Sequence, residues 1–116
     1  MTTYSTFEDG PYTNTPLVLL VDDKTASASE ILSSCLQDNG RSTLVGSVPK
    51  TFGKAVIQTV EQLNDGSAVV VTIAKYQTPK RTDINMRGID VDTVRDCPPG
   101  GAAVACVEKE IKAAKP

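Results

Sequence analysis

Histidine is absent from the 116 residues of this chain. That excludes a Ser-His-Asp triad, a Cys-His dyad and any imidazole metal site within it. Acid–base chemistry near neutral pH must therefore use a perturbed lysine, cysteine or carboxylate. Cysteine is scarce: Cys35, Cys97 and Cys106 are too few and too dispersed for a four-ligand zinc site. No motif asks for a cofactor or a metal. Aromatic residues make up only 4% of the chain, so a core must be built from Val, Ile, Leu and Ala. Long apolar runs are missing too. The longest candidate, Pro16 to Val21, is strand-sized and far short of the roughly 18 residues that a membrane span needs. The opening MTTYSTFEDGPYTNTP has no charged start followed by an apolar stretch and is not a signal peptide. Twelve Lys and Arg stand against fourteen Asp and Glu, a formal charge of -2, and the basic residues are scattered rather than banded. Nucleic acid is not an expected partner.

What is present reads as one small α/β domain or a piece of one. Leu17 to Val21 is a branched, apolar run bounded by Pro16 and Asp22-Asp23, the pattern of a strand buried on both faces. Ile31, Leu32, Cys35 and Leu36 then recur at helical spacing, and Asn39-Gly40 supplies a stop. This predicts a helix from Ser27 to Asp38 with Cys35 on its core face. Ser42 to Val45 reads as a short strand and Ser47 to Gly53 as a loop. Ala55 to Leu63 and Ala68 to Tyr76 flank Asn64-Asp65-Gly66-Ser67, a hairpin pattern. Gly88 to Val94 is expected to return briefly to the sheet. Val104, Val107, Ile111 and Ala114 predict a surface helix within Gly101 to Lys115. Cys97 and Cys106 would close a short loop in an oxidising compartment.

Chemistry concentrates in two segments. Thr25-Ala26-Ser27-Ala28-Ser29-Glu30 sits at a strand-to-helix junction, where a serine hydroxyl would lie among free N–H groups able to stabilise an oxyanion. The same residues also satisfy ordinary capping, since Ser27 and Glu30 have the Ser-x-x-Glu spacing of a capping box. The second segment is Thr51-Phe52-Gly53-Lys54, with Gln58 four residues on. A serine/lysine mechanism needs a neutral lysine, hence burial that lowers its pKa from about 10.4, and a polar partner that directs the amine. Phe52, Val56 and Ile57 would supply the burial and Gln58 the direction. Alternatively, Lys54 is a solvated loop-end lysine, as most lysines are.

Taken in order, PLVLLVDD, TASASEI, LQDNGRSTLVG, TFGK, IQTV, LNDGSAVVVTIAKYQTP and RGIDVD, spanning Pro16 to Asp92, resemble the carboxyl-terminal processing, or tail-specific, serine peptidases. The resemblance implies Ser27 as nucleophile, Lys54 as general base, Gln58 as the residue that orients the lysine, and the Ala28 N–H as half of the oxyanion hole. It implies a fragment of a crotonase/Clp-protease-like α/β core, a mixed sheet with a helix after the nucleophile and a hairpin. On this reading residues 1–15 are a polar lead-in, 16–94 the C-terminal part of the catalytic core and 95–116 a tail with a helix. The family's PDZ domain and the glycine-rich segment that donates the second oxyanion N–H are not expected here, and the initial Met is expected to begin in mid-protein. Such a piece would be weakly active or inactive. The implied partners are protein or peptide C-termini, with no membrane span. The implied location is the thylakoid lumen of a plastid or, alternatively, the bacterial periplasm. Two departures stand out: Ala55 follows Lys54 where the family has glycine, and the loop Ser47 to Lys50 is about two residues longer. The competing readings are a non-catalytic scaffold whose sheet edge captures extended peptides, and a crotonase-like acyl-CoA domain that would use backbone N–H groups without this Ser/Lys pair.

Overall fold

The computed structural model describes residues 7–98 and 100–114. The first half is a βαβ unit. Strand β1 (Val18–Val21) leads through a turn into helix α1 (Ala28–Asp38), which returns to β2 (Thr43–Gly46), paired in parallel with β1 from Val18 opposite Thr43 to Val21 opposite Gly46. A parallel pair needs such a crossover because no tight turn can join its ends. The helix stops where expected: Asn39 caps it and Gly40 adopts a φ of 68°, a conformation that glycine reaches without strain. Strands β3 (Val56–Gln62) and β4 (Ala68–Lys75) form the predicted hairpin around the Asp65–Gly66 turn. The short strand β5 (Thr93–Val94) joins β2 in parallel.

Two features differ from the sequence reading of the sheets. The parallel and antiparallel pairings do not share one mixed sheet: β1-β2-β5 is one sheet and β3-β4 a separate ribbon. And β1, at the edge of its sheet, is covered on one face only. Val21 is buried, whereas Leu20 is 48% exposed. The core is small. Val21, Leu44, Ala55, Ile84 and Ile89 form it, with Leu19, Tyr76 and Val91 against it. Fully burying each larger side chain contributes about 1.5–3 kcal/mol. Ala55 is fully buried.

Helix α1 is turned the other way from its apolar pattern. Ile31, Leu32 and Cys35 are exposed, Leu36 is half-buried, and the fully buried members are Glu30, Ser33 and Ser34. Cys35 is therefore a free, exposed thiol rather than a core residue. The physical reason lies in Glu30, whose hydrogen bonds fix the helix rotation as described below.

The tail is not one helix. Val107, with φ -107° and ψ 16°, breaks it into α2 (Ala102–Cys106) and α3 (Glu108–Ala113). A disulfide joins Cys97 to Cys106 with Cα atoms 5.7 Å apart. In the chain-entropy account, closing a loop of this size restricts the unfolded chain by about 3 kcal/mol. Among the described residues no helix is long and apolar enough to cross a membrane.

Candidate active site

Ser27 occupies the junction between the β1 turn and α1 with φ 58° and ψ -120°. A side chain at positive φ collides with its own backbone, so a non-glycine residue held there costs about 1–3 kcal/mol and persists only where its surroundings impose it. The turn before it is tied by its own polar groups. Asp22 Oδ1 accepts from the N–H groups of Lys24 and Thr25 at 3.0 and 2.8 Å and from the Thr25 hydroxyl at 3.0 Å. The Thr25 hydroxyl bond, first, and the Lys24 N–H hold the Asp22 carboxyl below the ordinary aspartate range. A depressed value means that the ionised group stabilises the turn fully above the unfolded value and loses that contribution as pH falls through the folded one. The protection of the amides across 22–27, measured against their intrinsic exchange rates, is therefore expected to stay constant from neutral pH down to the ordinary aspartate value of 3.8 and to fall only below it. An Asp22→Asn variant should show low protection at every pH. Protection that already falls near pH 6 would refute this account.

The hydroxyl of Ser27 lies over the N–H of Glu30 in the capping-box arrangement, but that N–H is committed at 2.9 Å to the Ser27 carbonyl, and no side-chain cap hydrogen bond is made. Glu30 completes its own half: its Oε2 accepts the Ser27 N–H at 3.0 Å. Of the N–H groups at this helix end, Ser29 donates to the Ala26 carbonyl at 3.2 Å, while that of Ala28 makes none of the described hydrogen bonds. A free N–H at a helix N-terminus is a donor that can receive negative charge.

Glu30 does more than cap, and this is what the sequence reading missed. Its side chain is 0% exposed, and its two oxygens accept four hydrogen bonds. Besides Ser27, Oε2 receives the Lys54 N–H at 2.9 Å. Oε1 receives the Thr51 hydroxyl at 2.5 Å and the Gly53 N–H at 2.7 Å. One carboxylate oxygen thus holds both the Ser27 and the Lys54 backbones. The Phe52 N–H adds a bond to the Thr25 carbonyl at 3.0 Å. From the other side, Thr51 exchanges backbone and hydroxyl bonds with Ile89, and Gly53 accepts the Met86 N–H at 2.7 Å. Only glycine fits this stack: a Cβ on Gly53 would lie 2.7 Å from the Gly88 nitrogen, and one on Gly88 would lie 2.2 Å from the Thr51 carbonyl oxygen. The Tyr76 hydroxyl donates to the Lys54 carbonyl and the Ala55 N–H reaches Asn85 Oδ1.

The expected burial of the lysine is not found. Lys54, Phe52 and Ile57 are exposed and Val56 is half-buried, because β3 and β4 stand as a ribbon with no layer packed over them. Gln58 faces its cross-strand partner instead, its amide donating to the Thr72 hydroxyl at 3.2 Å. A register irregularity between Ile57 and Gln58 separates its side chain from the run that starts at Lys54.

The comparisons with known proteins agree with the order of these segments. The model of Peptidase family S41 matches residues 2–95, starting well before the Pro16 at which the sequence resemblance begins and leaving out most of the tail. A carboxyl-terminal-processing protease of Picosynechococcus sp. is 51% identical over 88% of this chain and 24% of its own length. The chloroplastic carboxyl-terminal-processing peptidase 1 of Arabidopsis thaliana is 52% identical over 71% of this chain and 16% of its own length. A solved photosystem II D1 C-terminal processing protease superposes with a TM-score of 0.68 at 47% identity, over 79% of this chain and 24% of that one. The chain spans about a quarter or less of these relatives. A junction serine in a strained conformation, a lysine loop bolted to it, and an α/β scaffold that superposes on a solved processing protease all follow one ordered sequence pattern; the chain belongs to Peptidase family S41.

Proposed function

We propose that the chain carries the nucleophile and the general base of a serine endopeptidase that processes proteins from near their C-termini. The observation that supports this most is the single Glu30 oxygen shared by the N–H groups of Ser27 and Lys54, which fixes the two catalytic segments against each other across 27 residues of sequence. Ser27 Oγ attacks the scissile carbonyl carbon and its proton passes to Lys54 Nζ. The lysine returns that proton to the leaving amine, and water then resolves the acyl-enzyme. The free Ala28 N–H supports the oxyanion. Gln58 belongs to the same assignment by its place four residues beyond Lys54, although its amide here donates to the Thr72 hydroxyl.

Loss of one oxyanion donor costs about 3 kcal/mol in the transition state. The relatives' chloroplastic and cyanobacterial origins, together with a disulfide that persists in oxidising surroundings, favour the thylakoid lumen as the location. The open edges and apolar faces of the β3–β4 ribbon favour a second reading, a scaffold that binds extended peptides without cleaving them.

An acylating fluorophosphonate separates the two. Mass spectrometry of the labelled chain should find the adduct on Ser27 and none on Ser29, and Lys54→Ala should reduce labelling at least about a hundredfold, as loss of a general base does. Equal labelling of Ser27 and Ser29, or labelling that is indifferent to Lys54, would leave the scaffold reading.

A further inference from the structure

The tail lies beyond the part of the chain that the family model matches, which ends at residue 95. It is nevertheless built against the nucleophile turn. The Arg95 N–H donates to the Gly46 carbonyl at 2.7 Å, hanging the tail from the end of β2. From there the chain forms one wall of a cavity of about 330 Å³. Arg95, Cys97 and Pro98 line that wall, and Val21, Asp22 and Thr25 line the opposite one. The second wall is the turn that reaches Ser27 two residues later.

Little holds the tail in place. Helices α2 and α3 have five and six residues, too short to persist alone in water. Ala103 is the one buried residue in α2, α3 has none, and Val107 between them is buried. Two fastenings remain. One is the Arg95 guanidinium, whose Nη1 donates to the Cys106 carbonyl at 2.7 Å and to Glu110 at 2.9 Å, while Nη2 pairs with Glu110 at 2.9 Å. The other is the Cys97–Cys106 bond. Both cysteines are half-buried rather than sealed, and Asp96 and Pro98, which flank Cys97, are exposed.

We propose that Cys97–Cys106 is a thiol–disulfide exchange site for a dithiol reductant, and that its reduction unlatches the 95–113 segment and opens the cavity wall facing the Asp22–Thr25 turn. The steps balance. One thiolate of the reductant attacks a sulfur of the bond and forms a mixed disulfide, and the other cysteine leaves as a thiolate and takes a proton from solvent. The second thiol of the reductant then displaces the first cysteine, so two electrons and two protons pass to the protein and the reductant departs as its own disulfide. With the bond gone, α2 is no longer closed onto Cys97, and the Arg95 contacts alone must hold two helices that cannot hold themselves. The effect on catalysis rests on the Ser27–Lys54 reading proposed above; the exchange and the opening do not.

The test is hydrogen–deuterium exchange of the whole 116-residue chain, oxidised and after dithiothreitol, with thiol alkylation to count the free cysteines. Reduction should raise the free thiols from one to three and speed exchange about tenfold or more in peptides covering 95–113 and 20–27, a local opening that leaves α1 and the β3–β4 ribbon unchanged. Reoxidation should restore the slow rates, and Cys97→Ser/Cys106→Ser should show the fast ones without reductant. Should that variant fail to fold, the reduced wild-type chain gives the same reading, with α1 as its folding control. Faster exchange in the tail but not in 20–27 would make the bond a mere staple and overturn the proposal. So would faster exchange everywhere, or a bond that dithiothreitol leaves intact in the folded chain.

Discussion

Glu30→Ala is expected to lower the midpoint of thermal unfolding by about 15 °C or more, the largest stability loss of any single substitution in α1. The wild-type carboxylate is fully buried and takes hydrogen bonds from Thr51, Gly53, Lys54 and Ser27. Truncation strands the Thr51 hydroxyl and the Gly53 N–H in a buried setting, each costing about 1–3 kcal/mol. The other two donors are part-buried and water replaces some of what they lose. The sum, on the order of 3–5 kcal/mol, converts at about 4–8 °C per kcal/mol for a domain of this size. Glu30→Gln keeps the shape but turns an NH₂ group toward two of the four donors, so it should fall between wild type and alanine. Calorimetry or circular dichroism reads the order. A drop below about 4 °C for the alanine variant, less than the cost of one stranded donor, would mean that water fills the site and that the carboxylate is not what joins the two segments.

The same residue marks the boundary of what sequence reasoning could reach. The local patterns read correctly: Pro16 and Asp22-Asp23 bracketed a strand, Asn39-Gly40 ended a helix, and Asn64 to Ser67 announced a hairpin. The capping-box spacing also identified the Glu30 bond to the Ser27 N–H. What it could not supply was the second carboxylate oxygen and its partners more than twenty residues away, because no local period encodes them. Those bonds outweigh the amphipathic pattern. Exposing Ile31 and Leu32 forgoes a few kcal/mol of burial at most, whereas rotating Glu30 into water would unpair donors in the core. The rotation of α1, the exposure of Cys35 and the missing cover over Lys54 share this origin: each depends on what lies against a face, which a residue's own neighbours in sequence do not state. The tail failed for a related reason. Its apolar spacing predicted one helix, but the chain breaks at Val107, next to the Cys106 that is bonded to Cys97. The order of the segments that carry Ser27 and Lys54 was legible. The geometry that joins Ser27 to Lys54 was not.

Ser27→Gly is expected to raise stability by about 1–2 kcal/mol, some 5–10 °C in the unfolding midpoint, while abolishing fluorophosphonate labelling. The backbone at φ 58° and ψ -120° is strained for serine and relaxed for glycine. The N–H that Glu30 accepts survives the change, so the substitution removes strain without removing the fastening. Had Ser27 been kept for capping, the sign would reverse, since replacing a serine cap by glycine costs a few tenths of a kcal/mol. Ser27→Ala separates strain from loss of the hydroxyl: it too abolishes labelling, but it keeps a Cβ at positive φ and should gain no stability. A junction serine whose removal strengthens the fold is one that folding alone does not explain, the usual pattern where activity holds a residue in a conformation that stability would not choose. Equal midpoints for the glycine and alanine variants would show that the strained backbone is not stored energy, and Ser27 would be left with no physical mark beyond its position in the motif.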